Sequence, residues 1–370
     1  MPRLDLHQEQ RLAALSQALI DQQAARVIVE PQMRRAGFWF GGGNMVADQD
    51  GNLLVVGRYR NAGDSRTGVT AGERGLELAI FRSSDRGANW HKIASWPKSA
   101  LDVGSQRVLS IEGAALRISP AAVELFVSSE KEGIGYPPGF ERYLKPGTGV
   151  WTIDRLAADS IQGLRAASPE TVLAGDDPGH VHVKDPCLQV TTAGDLRLFF
   201  CTHPFNWASS NTGYAVRRQQ QPDFGPAVLE FFPRGVAWDV AMTRTTCVFD
   251  LPGIGPFADA DIRLVLYDGG ECVRNLDEHR AAVRRPRGYS CEELGGVAYF
   301  AGDRPDQMVR LSRLQPAFVS PHGTGCSRYV DLLATPHGVY ASWQQSQADH
   351  SQPLVMNFLP QARIEALLSS

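Results

Sequence analysis

The sequence predicts an all-β protein, a β-propeller of five blades with six as the alternative count, preceded by a short N-terminal helix. Three observations lead there. Gly (36) and Pro (23) together make about a sixth of the 370 residues, which favours many tight turns over long helices. Short apolar runs bounded by turn pairs such as Asp50-Gly51, Arg86-Gly87, Gly194-Asp195 and His337-Gly338 fill most of the chain. One pattern also recurs: a short strand with a polar centre leads through a turn into a strongly apolar strand.

Taken in order, residues 8–24 place Leu12, Leu15, Leu19 and Ile20 near one face and predict a helix. Arg26-Val27-Ile28-Val29 reads as a strand able to close the ring with the last blade. The first copy of the repeat is Gly43–Val46 with Leu53–Gly57. The second is Ile111–Leu116 with Val123–Ser128, and the third Val183–Leu188 with Leu196–Cys201. The fourth, weaker copy is Ala237–Ala241 with Thr246–Asp250, and the fifth Cys326–Val330 with Val339–Trp343. From Asn44 to Tyr329 the copies are spaced roughly 71 residues apart, a blade with long loops. Residues 361–368 follow Pro360 and predict a second helix. The organisation is therefore a helical segment 1–25, a propeller 26–359 and a terminal helix 360–370.

Composition narrows the function. With 43% hydrophobic and 21% charged residues the chain has globular values, which exclude global disorder. A net charge of −3 leaves no electrostatic footprint for nucleic acid or an anionic membrane, and no run approaches 18 apolar residues. The start, Met1-Pro2-Arg3-Leu4-Asp5, is not followed by a signal-peptide core, so the cytoplasm is the expected compartment. Cys187, Cys201, Cys247, Cys272, Cys291 and Cys326 are scattered without a CxxC pair and are expected to be reduced. Oligomeric state is not legible.

A propeller's innermost strands line a central channel. The polar centres Glu112, Asp185 and Asp239 should therefore converge on the axis although they are far apart in sequence. Converging carboxylates are what glycoside hydrolysis needs: one protonates the leaving oxygen, the other activates water or attacks the sugar, and a third tunes the acid. A turn or ion-pair carboxylate is the structural reading of each.

Two motifs carry a family resemblance. Ser83-Ser84-Asp85-Arg86-Gly87-Ala88-Asn89-Trp90 resembles the Asp-box of sialidases and other propeller glycosidases, a hairpin device at the outer rim. His182-Val183-Lys184-Asp185-Pro186-Cys187 and Ile111-Glu112-Gly113-Ala114 resemble inner-strand motifs of the five-bladed arabinanase, xylosidase and fructofuranosidase superfamily. That resemblance implies a glycoside hydrolase acting from the end of a small saccharide, with Glu112, Asp185 and Asp239 as its carboxylates. The first blade, where that superfamily places an Asp, offers only Asn44 after Phe38–Gly43, and the order of Glu and Asp in the next two blades is exchanged relative to arabinanases.

Trp39, Asn44, Arg58, His182 and Arg328 are the candidate substrate contacts: a flat ring for a sugar face, hydrogen-bonding side chains, and guanidiniums able to grip a carboxylate. His180, His182 and His203 suggest a metal, but no third ligand is fixed by spacing, so neither metal nor cofactor is expected. The rival readings are a sialidase-like hydrolase of an acidic sugar, for which Tyr329 is a candidate, and a glycan-binding propeller without catalysis.

Overall fold

The computed structural model describes residues 3–61, 75–271 and 293–369; Cys272 and Cys291 lie outside them. The chain builds five antiparallel sheets in sequence order, one per blade. The first holds β2 (Trp39–Gly41), β3 (Met45–Ala47), β4 (Leu53–Arg60), β5 (Glu77–Ser83) and β6 (His91–Pro97). The second holds β7 (Val108–Ile118), β8 (Val123–Lys131), β9 (Val150–Ala158) and β10 (Glu170–Leu173). The third holds β11 (His182–Val190), β12 (Leu196–His203), β13 (Asn211–Arg217) and β14 (Val228–Phe232). The fourth holds β15 (Met242–Asp250), β16 (Ile262–Gly270), β17 (Leu294–Ala301) and β18 (Val309–Arg310). The fifth holds β19 (Ser327–Thr335), β20 (Gly338–Gln345) and β21 (Leu354–Pro360), and its outer position is filled by β1 (Arg26–Val29) from the other end of the chain.

Each blade is pressed between two neighbours, so its second strand is covered on both faces. That is why β4, β8, β12, β16 and β20 are buried at every position, with an apolar stretch in each and polar residues toward the C-terminal end. Five apolar clusters fill the five seams of the ring. Leu54, Ile80, Ile111 and Leu125 sit between blades one and two; Phe126, Ile153, Leu198 and Phe200 between two and three. Phe232, Trp238, Val265 and Phe300 join three and four, and Phe40, Val55, Tyr340 and Met356 join five and one.

The fourth seam is extended by helices. Helix α1 (Leu6–Leu19) starts from a capping box in which Asp5 accepts from the Gln8 amide and Gln8 answers the Asp5 amide. It buries Leu12, Leu15 and Leu19 against Phe249, Leu251, Trp343 and the terminal helix. A single helical turn, α2 (Ile161–Leu164), lies in blade two, and α3 (Gln361–Ser369) closes the chain against α1. The expected 8–24 helix stops at Leu19 because Asp21 turns its carboxylate onto the amides of Gln23 and Ala24, which bends the chain toward β1. No helix among the described residues is long and apolar enough to cross a membrane.

In the fourth blade the inner strand is not where the sequence pattern placed it. Residues 237–241 form a loop, and the strand starts at Met242 with Arg244 as its polar centre. The apolar flanks that mimicked a strand belong to Trp238, which packs on Tyr267 with ring centroids 5.6 Å apart.

Candidate active site

Four inner strands break register at the height of the channel. The shifts fall between Ile111 and Ala114, Lys184 and Cys187, Thr245 and Cys247, and Arg328 and Asp331. Such bulges push residues out of the ladder and re-aim their side chains. They present Glu112, Asp185 and Tyr329 to the axis, and two of these, Asp185 (φ 58°) and Tyr329 (φ 52°), are held in the left-handed region that non-glycine residues avoid.

Asp185 is the most constrained group. Its Oδ1 accepts from the Gly113 amide at 3.0 Å and the Tyr329 hydroxyl at 3.2 Å. Its Oδ2 accepts from Arg244 Nη1 at 3.0 Å and Cys201 Sγ at 3.3 Å. Gly113 has to be glycine: a Cβ there would lie 2.6 Å from Asp185 Oδ1 and 2.8 Å from its Cα. Arg244 also donates to Asp268 (2.6 Å) and Glu293 (2.6 Å), and Glu293 accepts from Arg328 Nη1 at 2.7 Å. The Tyr329 ring lies under the Arg244 guanidinium at 4.0 Å, with Arg328 at 5.4 Å and Arg58 at 5.5 Å from its centroid.

Arg58, fully buried on β4, donates to Glu112 at 2.6 Å and to the Gly41 carbonyl at 3.0 Å. Burial favours the neutral form of Glu112, but Arg58, Lys184 and Arg60 outweigh it and hold the carboxyl well below the usual range. Glu293 is depressed for the same reason by Arg244 and Arg328. Asp268, also beside Arg244, is raised to about 6 because its burial dominates. Glu112 and Glu293 keep 15% and 27% of their side chains exposed, against 2% for Asp185, so they are the network's carboxylates that reach the mouth.

Two walls rise from this floor. On one side Trp39 is flanked by Arg60 and Arg328 at 4.2 and 4.5 Å. On the other, His182 and His203 are register partners on β11 and β12, and the half-buried Trp207 covers both, with ring centroids 4.3 and 4.4 Å away. The Trp151 amide donates to His182 Nδ1, which leaves Nε2 to donate to the Tyr136 hydroxyl at 3.1 Å. Burial pushes both imidazoles well below their ordinary pKa, so they are neutral.

The structure thus brings together Glu112, Asp185, Arg58 and Arg328, with Trp39 and His182 on the walls. Asn44 lines the channel but is consumed in a staple between blades one and two, donating to the Leu116 carbonyl and accepting from its amide. Asp239 is a correction. It lies in the loop before β15, fully buried, and accepts from Tyr267 and Arg310, neither of which belongs to the network described above. The residues that sequence reading missed are Arg244, Asp268 and Glu293. The Thr-Arg-Thr-Thr run at 243–246 was a signal for the first; Asp268 stands at the end of the apolar run of β16 and Glu293 belongs to no pattern. Among the described residues no group of three or more His, Cys, Asp or Glu is arranged to hold a metal ion; His180 instead pairs with Asp177 and Glu230.

No family model and no curated protein matches the sequence. Solved structures do match by shape. A GH43_1 enzyme from Xanthomonas citri, solved with xylose, superposes with a TM-score of 0.52 at 12% identity, over 95% of this chain and 93% of that one. A xylan β-1,4-xylosidase from Bacillus halodurans C-125 gives 0.53 at 12% identity, over 89% of this chain and 54% of that one. A further structure described as a glycoside hydrolase gives 0.58 at 10% identity, over 96% of both chains. At these identities the likeness establishes the fold: this chain is a five-bladed propeller of the shape that those glycoside hydrolases share.

Proposed function

We propose that the protein is a glycoside hydrolase that removes a terminal sugar from a small saccharide or glycoside at the mouth of the propeller channel. The observation that carries this reading is the pairing of two carboxylates, Glu112 and Asp185, on adjacent inner strands, tied together through the Gly113 amide. Glu112, held ionised by its cationic neighbours and open to the mouth, takes the role of base or nucleophile. Asp185, locked by four donors opposite Glu112, takes the role of general acid or of its pKa partner. Glu293, depressed by Arg244 and Arg328, is the third carboxylate of the set.

The test uses Glu112→Gln, Asp185→Asn and Glu293→Gln with a panel of aryl glycosides and disaccharides. Each amide keeps the shape, so folding should survive while the catalytic variants lose about 10²–10⁴ in rate. A good leaving group needs no protonation, so an activated aryl glycoside should restore only the acid variant. Wild-type turnover in both Glu112→Gln and Asp185→Asn would sink the reading. A second reading, a glycan-binding propeller, is favoured by the closure of the channel carboxylates onto arginines within the protein. It predicts saccharide binding without turnover.

A further inference from the structure

The channel cations differ in how far the protein satisfies them. Arg58 is closed onto Glu112, Arg244 onto Asp185, Asp268 and Glu293, and Arg328 onto Glu293. Lys184 is different. Its ammonium makes no hydrogen bond among the described residues: Asp185 Oδ2 stands 3.7 Å away, and the rings of Trp151 and Trp207 lie 4.9 and 6.0 Å from it. Yet 88% of the side chain is withdrawn from water, with 12% left exposed. Burial opposes the charge, but Asp185 and Glu112 hold the group protonated. An ammonium carries three donors, and here they are left to water at the exposed edge of the side chain, where a ligand can replace it.

We propose that Lys184 is the substrate-anchoring residue of this channel and that its donors take hydroxyl oxygens of a neutral sugar stacked toward Trp207. The inference rests on the saccharide-binding site proposed above, in either its catalytic or its binding form. Neutral ligand chemistry follows from the surroundings. The guanidiniums of Arg58, Arg244 and Arg328 are already paired with protein carboxylates. A ligand carboxylate brought to Lys184 would also stand close to both Asp185 and Glu112, two like charges in a desolvated site. A hydroxyl satisfies the ammonium without adding charge. The channel therefore selects sugars over the matching uronic acids.

Calorimetric titration of purified protein with glucose against glucuronate, galactose against galacturonate, and xylose and arabinose tests this. Wild type is expected to bind at least one neutral sugar and to bind the matched uronate at least tenfold more weakly. Lys184→Met should lose neutral-sugar affinity by tenfold or more at unchanged melting temperature, and Lys184→Arg should recover part of it. Equal or tighter binding of the uronates, full affinity in Lys184→Met, or binding of none of the probes would each overturn the proposal. The outcome is separable from catalysis: Lys184-dependent binding without turnover removes the hydrolase reading alone, and turnover untouched by Lys184→Met removes this one alone.

Discussion

Asp331 has the opposite electrostatic situation to Glu112, only a short way down the channel. Its Oδ2 accepts from the Met45 amide at 2.7 Å, and no cation among the described residues offsets its burial, which raises it from 3.8 to about 7. For an acid whose pKa rises on folding, the native state binds more protons than the unfolded one between those values, so stability falls as pH rises from about 4 to about 7. Below that window the neutral carboxyl costs nothing; above it a buried anion must be kept. Asp331→Asn keeps the acceptor for Met45 and removes the titration. Urea denaturation should find the variant more stable than wild type at pH 8, by on the order of 2–4 kcal/mol, with the gap closing by pH 4. A gap that does not change with pH would show that Asp331 is not the titrating group. The contrast explains what a sequence can display at this scale. Asp331 and Glu112 are both carboxylates on inner strands, but the charges that separate them come from Arg58 and Arg60 on β4 and Lys184 on β11, strands other than their own.

At the scale of the element, the bulge is the unit of the site. Glu112-Gly113 was visible in the sequence because a charged residue beside glycine interrupts an apolar strand, and Asp185-Pro186 because proline cannot continue a ladder. The fourth strand escaped notice because its bulge is a single threonine, Thr246, and its polar centre is an arginine, while Ala237–Ala241 imitated the pattern from a loop. Gly113→Ala tests the bulge directly. The added methyl has no room against Asp185, so the variant should lose about 1–3 kcal/mol of stability and most of its turnover or sugar binding. Gly51→Ala is the control: its φ of 79° is also left-handed, but nothing lies within 4 Å of the new methyl. It should cost stability without touching function. Equal functional loss in both would mean that strain anywhere in the ring disables the site.

On the scale of the whole molecule the ring was legible because every blade repeats the same burial problem, and the repeat survives without any repeat of residue identity. Closure depends on four residues. Val27 and Val29 pair with Val355 and Leu354, and Val29 enters the apolar seam between the last blade and the first. Deleting residues 1–25 removes Leu12, Leu15 and Leu19 from their seam, worth about 1.5–3 kcal/mol each, and should leave a ring that melts in one lower transition. Deleting 1–29 opens the ring and should abolish that single transition in calorimetry. One cooperative transition in the longer deletion would show that the fifth sheet holds without its outer strand.

The borrowed strand also sets a problem of timing during synthesis. β1 leaves the ribosome early, but its partner β21 is made roughly 325 residues later. At ~5–20 residues per second the delay is on the order of 15–65 s. Through that interval a Val-Ile-Val edge waits without a mate, the kind of segment that pairs promiscuously with other nascent chains. The polar stretch just upstream, with Asp21, Gln22 and Gln23, stands as its gatekeeper until the last blade arrives.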